Sequence, residues 1–373
     1  MAKLGFLFAG QGAQYVGMGK EFFDNFEESK EVFKRSSEAL GIDMEELCFN
    51  DPEGLLNKTE FTQPAIITTN MAILTALDKL GVKSHISCGL SLGEYSALIH
   101  SGAINFEDGV KLVKKRGKFM QEAVAEGIGG MVAVLRMTPE QVDEIIEKSS
   151  PYGIVEGANY NSPGQIVISG ELVALEKAME FIKEVGGRAI KLPVSAPFHC
   201  SMLQPAAEKL EDELNKISIN KLNGIVMSNA KGEAYLEDDN IIELLTSQVK
   251  KPVLFINDIE KMIKSITTDN GSEFSGFLEI IKITNSKLYF CHPYASFEKG
   301  TNEKHNGMIR YFIPNGSLIE NYSNNDINSI CNWMNNYPRK ILDYKTPLEV
   351  LKDEMNNDLL FDKIANIQKA INV

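Results

Sequence analysis

The sequence is short of cysteine, histidine and basic charge. Its five cysteines, Cys48, Cys88, Cys200, Cys291 and Cys331, contain no CxxC pair and are odd in number. That spacing speaks against a structural zinc site and a paired disulfide framework. Lys and Arg total 38 against 51 Asp and Glu, a formal net charge of −13. So acidic a chain lacks the basic excess expected if nucleic-acid binding were its main business. No apolar run approaches the roughly 18 residues of a membrane span. The start of the chain lacks a signal-peptide cleavage site, so a cytoplasmic location is expected. With 43% hydrophobic residues over 373 positions, the chain can fill two or three ordinary domains.

What is present centres on Gly89-Leu90-Ser91-Leu92-Gly93, a Gly-x-Ser-x-Gly turn. A strand-like run, His85 to Cys88, precedes it, and an apolar helical run, Tyr95 to Ile99, follows. In such a strand–turn–helix elbow the serine hydroxyl stands exposed at a helix N-terminus, and the flanking glycines make room for strand and helix. The same pentapeptide also occurs as a plain turn, so partners are needed. His199, in the proline-bounded loop Ser195-Ala196-Pro197-Phe198-His199, is the best placed of five histidines to act as base. Gln11 sits in a Gly-Gln-Gly turn after the first strand. Its N–H, paired with that of Leu92, would form an oxyanion hole. Arg116 interrupts a lysine-rich helix. It is either one more solvated charge or a bidentate clamp on a substrate carboxylate.

Strands alternating with helices predict an α/β core with a parallel sheet. Helices are expected over Glu21 to Leu40, Pro64 to Leu80, Phe106 to Ala125, Leu203 to Ile217 and Ile241 to Val249, with core strands at Ile86–Cys88 and Ile225–Ser228. Between them the rhythm changes. The expected order is strand Met131–Leu135, helix Pro139–Lys148, strands Ile154–Asn159 and Gln165–Ser169, helix Val173–Val185 and strand Arg188–Pro193. That βαββαβ order predicts an inserted ferredoxin-like subdomain. The predicted units are 1–128 with 195–263 for the core, 129–194 for the insert, and 264–373 for a tail. The tail holds 16 asparagines against 13 in residues 1–263 and is near neutral, so composition breaks at about 263.

Residues 1–262 resemble the malonyl-CoA:acyl carrier protein transacylases. The resemblance is carried by Phe6 to Gln14 with its Gly-Gln-Gly-x-Gln signature, by Thr62-Gln63-Pro64-Ala65, and by the elbow. Lys115-Arg116-Gly117, Asn159 to Gly170, Val194 to His199, Ser228-Asn229 and Gln248 continue it. It implies an α/β-hydrolase-like core and a malonyl-Ser91 intermediate with His199 as its partner. Gln248 would orient that histidine through its side-chain or backbone carbonyl. Gln11 and Leu92 would form the oxyanion hole, and Arg116 would bind the malonyl carboxylate. Phe198 would exclude branched acyl groups. Malonyl-CoA and the acidic acyl carrier protein are the implied substrates, with no cofactor and no metal. Lys114, Lys115, Lys118, Lys183 and Lys191 are candidates to meet the carrier. Leu90 departs from the family, which usually has histidine there, and the family's last core strand, ending in Glu-x-Gly-Pro-Gly, has only a faint counterpart in Phe277-Leu278-Glu279-Ile280. A serine thioesterase or esterase is the alternative activity, and an inactive chimera the alternative outcome.

The tail resembles something else. Thr267 to Phe274, His292 to Ser296, Gly300 to Gly307, Asn335 to Lys340 and Tyr344 to Pro347 are similar to D,D-E insertion-sequence transposases of RNase-H-like fold. Asp269 matches the second catalytic acid and Glu303 the third, while the first acid and the DNA-binding domain have no counterpart. The resemblance implies a partial RNase-H-like fragment that lacks two-metal chemistry.

Overall fold

The computed structural model describes residues 4–162, 164–194, 196–262, 265–268, 287–290, 308–309, 311–313, 322–338, 344–346 and 349. The chain divides into two compact units. One holds Met1–Ala76, Lys83–Lys264 and Gly276–Lys287; the other holds Leu77–Val82, Ser265–Ser275 and Leu288–Val373.

In the first unit, β1 (Gly5–Phe8) and β2 (Ile86–Gly89) pair in parallel, β2 pairs in parallel with β7 (Ile225–Ser228), and β8 (Glu233–Ala234) closes the order β1-β2-β7-β8 antiparallel to β7. The elbow strand β2 is therefore central, and its last residues are buried. Helices α4 (Thr59–Lys79), α5 (Leu92–His100) and α6 (Phe106–Glu122) supply most of the core around this sheet, with α9 (Gln204–Leu214) and α10 (Ile241–Lys250) completing it.

The expected helix from Glu21 to Leu40 is two helices, α1 (Lys20–Asn25) and α2 (Glu27–Leu40). Phe26 breaks them: its backbone is extended at φ −131°, which buries the ring against Phe22. A short α3 (Met44–Phe49) follows that the hydrophobic pattern did not predict; Asp43 caps it by accepting from Glu46 N–H at 2.9 Å. Helix α4 starts at Thr59, a turn before Pro64. The N–H groups of Phe61 and Thr62 both reach Lys58 O and close a turn ahead of the proline. The helix expected from Leu203 to Ile217 ends at Leu214 and is preceded by a 3-10 turn, Ser201–Leu203.

The segment between α6 and α9 forms its own antiparallel sheet in the order β4-β5-β3-β6. Its strands are β3 (Gly129–Leu135), β4 (Val155–Ser162), β5 (Gln165–Glu171) and β6 (Arg188–Lys191). Helices α7 (Pro139–Ser149) and α8 (Leu172–Glu184) cover it, burying Val132, Val134, Ile166 and Ile168 in a second apolar core. The chain order is the expected βαββαβ, with β6 stopping at Lys191, before Pro193. Helix α11 (Phe255–Met262) returns to pack on β2 and β4.

In the second unit β9 (Ser265–Thr268) pairs with β10 (Lys287–Phe290), and Ser323 caps α12 (Asn324–Asn335) in a capping box with Asp326. Asp269, Glu303, and the strand sought at Phe277 to Ile280 lie outside the described residues.

Candidate active site

The elbow forms because three glycines let backbone meet backbone. A Cβ on Gly89 would lie 1.9 Å from Gly93 C, one on Gly93 would lie 2.3 Å from Phe8 O, and one on Gly10 would lie 2.2 Å from Leu90 O. The first two contacts fold the turn onto itself and onto β1. The third brings the Gln11 loop beside the nucleophile turn. Ser91 sits at φ 52° and ψ −97°, outside the regions a side chain prefers. Such a conformation costs on the order of 1–3 kcal/mol and persists only when its surroundings fix it.

Those surroundings are polar and buried. Asn229 Oδ1 accepts from Ser91 N–H at 2.6 Å, and Asn229 Nδ2 donates to Gly89 O at 2.9 Å and to Asp258 Oδ2 at 2.7 Å. Gln248 Nε2 donates to Ser91 O at 3.0 Å. One amide thus grips the nucleophile's N–H and another its carbonyl.

His199, brought in by the loop after β6, has its Nε2 2.8 Å from Ser91 Oγ. Its Nδ1 lies 2.7 Å from the backbone carbonyl of Gln248. A carbonyl only accepts, so Nδ1 carries the proton and Nε2 is left to accept from the serine hydroxyl. Burial, then the nearby Arg116 cation, push the imidazole pKa down to about 3, against the opposing pull of the Gln248 carbonyl. The ring is neutral at physiological pH. Sequence left the orienting group open between side chain and backbone of Gln248. The backbone carbonyl takes that place, because the side-chain amide is engaged elsewhere.

Arg116 is 1% exposed and stacks over the Tyr95 ring at 5.2 Å. Its guanidinium donates to Gln63 Oε1 at 3.0 Å, Gln248 Oε1 at 3.0 Å and Ser91 Oγ at 3.1 Å. The solvated-charge reading is therefore excluded. Among the described residues no carboxylate lies within ion-pair distance of it. A buried cation so placed leaves a strong electrostatic demand for an anion beside Ser91.

Neither Gln11 N–H nor Leu92 N–H donates a hydrogen bond among the described residues. Gln11 and Phe198 line a cleft of about 980 Å³, with Thr59 and Gln121 on its wall and Lys58 and Lys118 among its charged residues. Of the lysines considered for carrier binding, Lys115 pairs with Glu213 at 2.6 Å and Lys114 rests over the Phe61 ring at 5.8 Å. The sequence pattern assigns no role to Gln63 or Asn229, although both stand inside the motifs above, and none to Glu94 or Tyr235. Nothing in a linear pattern shows that a glutamine and an arginine 53 positions apart will meet.

The chain matches the model of the acyl transferase domain over residues 5–268. Malonyl CoA-acyl carrier protein transacylase of Bacillus subtilis (strain 168) is 42% identical over 295 residues, covering 77% of this chain and 92% of that protein. The chain belongs to the malonyl CoA-acyl carrier protein transacylase family. The Escherichia coli (strain K12) member is 40% identical over 264 residues, covering 70% of this chain and 85% of that protein. The crystal structure of the Clostridium perfringens transacylase superimposes with a TM-score of 0.71 at 85% identity, covering 83% of this chain and 99% of that one. Family membership fixes the mixed α/β fold and the acyltransferase class. Among the described residues no helix is long and apolar enough to cross a membrane, and no group of acids, cysteines and histidines is arranged to hold a metal.

Proposed function

We propose that this chain transfers malonyl from malonyl-CoA to the phosphopantetheine thiol of acyl carrier protein, in two half-reactions through a malonyl-Ser91 ester. The observation that carries the reading is Arg116, a buried cation without an ion-pair partner among the described residues, 3.1 Å from the Ser91 hydroxyl. A neutral acyl group gives that cation nothing to pair with, whereas the free carboxylate of malonate does. The same residue weighs against a general thioesterase or esterase.

In the first half-reaction Ser91 Oγ attacks the thioester carbonyl as His199 Nε2 takes its proton. The tetrahedral oxyanion is held by the N–H groups of Gln11 and Leu92, each worth about 3 kcal/mol. The C–S bond then breaks, and the imidazolium returns its proton to the leaving CoA thiolate. The second half-reaction runs the same steps with the carrier thiol as nucleophile and Ser91 as leaving group. Gln248 holds the histidine tautomer through its backbone carbonyl, and Phe198 narrows the acyl site. The acidic carrier is assigned to the cleft at Lys58, which has no ion pair among the described residues, rather than to Lys115 or Lys118, which Glu213 and Glu122 occupy. No cofactor is called for, and the expected location is the cytoplasm.

The antiparallel βαββαβ segment is read as a ferredoxin-like subdomain over 129–194, inserted into an α/β-hydrolase-like core of 1–128 and 195–263. The tail, 264–373, is read as a remnant of a D,D-E transposase with RNase-H-like ancestry and no part in acyl transfer; the break in composition near 263 supports this. Incubation with radiolabelled malonyl-CoA tests the main reading. Label is expected on the peptide containing Ser91 and is expected to move to added holo-carrier. Monodisperse protein that takes no label would overturn it. Limited proteolysis tests the division: a resistant fragment ending near residue 263 is expected.

A further inference from the structure

Glu94 lies in the first turn of α5, 1% exposed, three residues after the nucleophile. Its Oε2 accepts from Gln248 Nε2 at 2.6 Å and from Asn229 N–H at 3.1 Å, and its Oε1 accepts from the Tyr235 hydroxyl. The first two partners are the residues that grip Ser91. Asn229 holds the serine N–H, while Gln248 holds the serine carbonyl, the Arg116 guanidinium and, through its own carbonyl, the His199 ring. We propose that Glu94, through its hold on Gln248 and Asn229, is the positioning residue that fixes Ser91, His199 and Arg116 relative to one another. The proposal rests on the reading of Ser91 as the nucleophile.

An ionised carboxylate can only accept, so Gln248 must turn its NH₂ toward Glu94. That choice sends Gln248 Oε1 toward Arg116 and leaves the second amide hydrogen for Ser91 O. A flipped amide would set Oε1 against both Glu94 and the serine carbonyl, and NH₂ against the guanidinium. Glu94 thereby removes the alternative in which the clamp releases both the elbow and the cation. A buried carboxylate is a costly way to fill space, and a purely packing role would be better served by an apolar side chain. Burial pushes the Glu94 pKa up to about 7, against the hydrogen bonds from Tyr235, Gln248 and Asn229 and the Arg116 cation, which favour its charged form. Asp258, Cys88, Tyr95 and Tyr235 are the other titratable groups around it.

The test uses a probe without a malonyl group, so that failure of malonyl transfer and failure of this role read out separately. Phenylmethanesulfonyl fluoride sulfonylates a positioned serine: the Oγ–S bond forms, S–F breaks, and the proton leaves through His199. The rate is followed by intact mass from pH 5.5 to 9 for the full chain, Glu94→Gln, Tyr235→Phe and Asp258→Asn. The unsubstituted chain is expected to slow on the acid side as Glu94 protonates and loses its hold. Glu94→Gln is expected to react about 10–100-fold more slowly at pH 8 and to lose that acid limb. Tyr235→Phe removes a donor to the carboxylate, which raises its pKa, so its limb is expected to move to higher pH. Asp258→Asn removes a neighbouring acid whose charge opposes that of Glu94, so its limb is expected to survive and to move to lower pH, and loss of the limb there would overturn the assignment to Glu94. Glu94→Gln reacting within about threefold of the parent at every pH would overturn the proposal, as would a limb that stays in place in Tyr235→Phe. The tyrosine variant carries the test should Glu94→Gln fail to fold.

Discussion

Replacing Arg116 by alanine separates a carboxylate clamp from a general catalytic aid. The side chain has three polar partners, Gln63 Oε1, Gln248 Oε1 and Ser91 Oγ, at 3.0, 3.0 and 3.1 Å. Removing it orphans two buried amide oxygens, at about 1–3 kcal/mol each if they stay dry. It also relieves the desolvation that depresses the guanidinium pKa. The two effects oppose, so a modest fall in thermal midpoint is expected. The effect on malonyl transfer is larger. Truncating one partner of a buried charge pair costs about 2–5 kcal/mol, or roughly 30- to 4,000-fold in rate at 1.4 kcal/mol per decade. An acetyl group has no carboxylate and loses only the Ser91 Oγ contact. Rapid-quench measurement of Ser91 acylation with malonyl-CoA and acetyl-CoA should therefore show the malonyl preference collapsing. Equal losses for the two thioesters in folded protein would refute the clamp.

Gln248→Ala keeps the backbone carbonyl that orients His199. Acylation is expected to fall about 10–100-fold, by loosening of the elbow, and to stay well above that of His199→Ala. A quenched-flow comparison checks this ordering. Gly93→Ala drives a Cβ to 2.3 Å from Phe8 O. Backbone cannot yield there as a side chain would, so urea unfolding should show a loss of at least about 1–3 kcal/mol. His199 supplies a pH signature. Its folded pKa is pushed down to about 3 by burial and Arg116, below the 6.5 of a free imidazole. The stability it contributes is therefore present above pH 6.5 and lost as pH falls toward 3. His199→Gln should lose less stability than the parent over that window, measured by thermal melts in matched buffers.

Much of this molecule was legible from residue order alone. The Gly-x-Ser-x-Gly turn, with a strand before it and a helix after, located β2, α5 and Ser91, since an elbow depends on local sterics that glycines dictate. The βαββαβ segment was readable because alternation and helical periodicity are short-range signals. Phe26 was misread for the complementary reason: its periodicity fits a continuous helix, and only the gain from burying its ring breaks α1 from α2. The site divides along the same line. Ser91, His199, Gln11 and Arg116 could be named from residue type and setting. Which atom of Gln248 faces the imidazole, and that Gln63, Asn229, Tyr235 and Glu94 belong to one buried network, depended on the fold. Those contacts join residues up to 157 positions apart. Hydrogen-bond direction inside a dry core is decided by which donors and acceptors meet there, and only the packed chain brings them together.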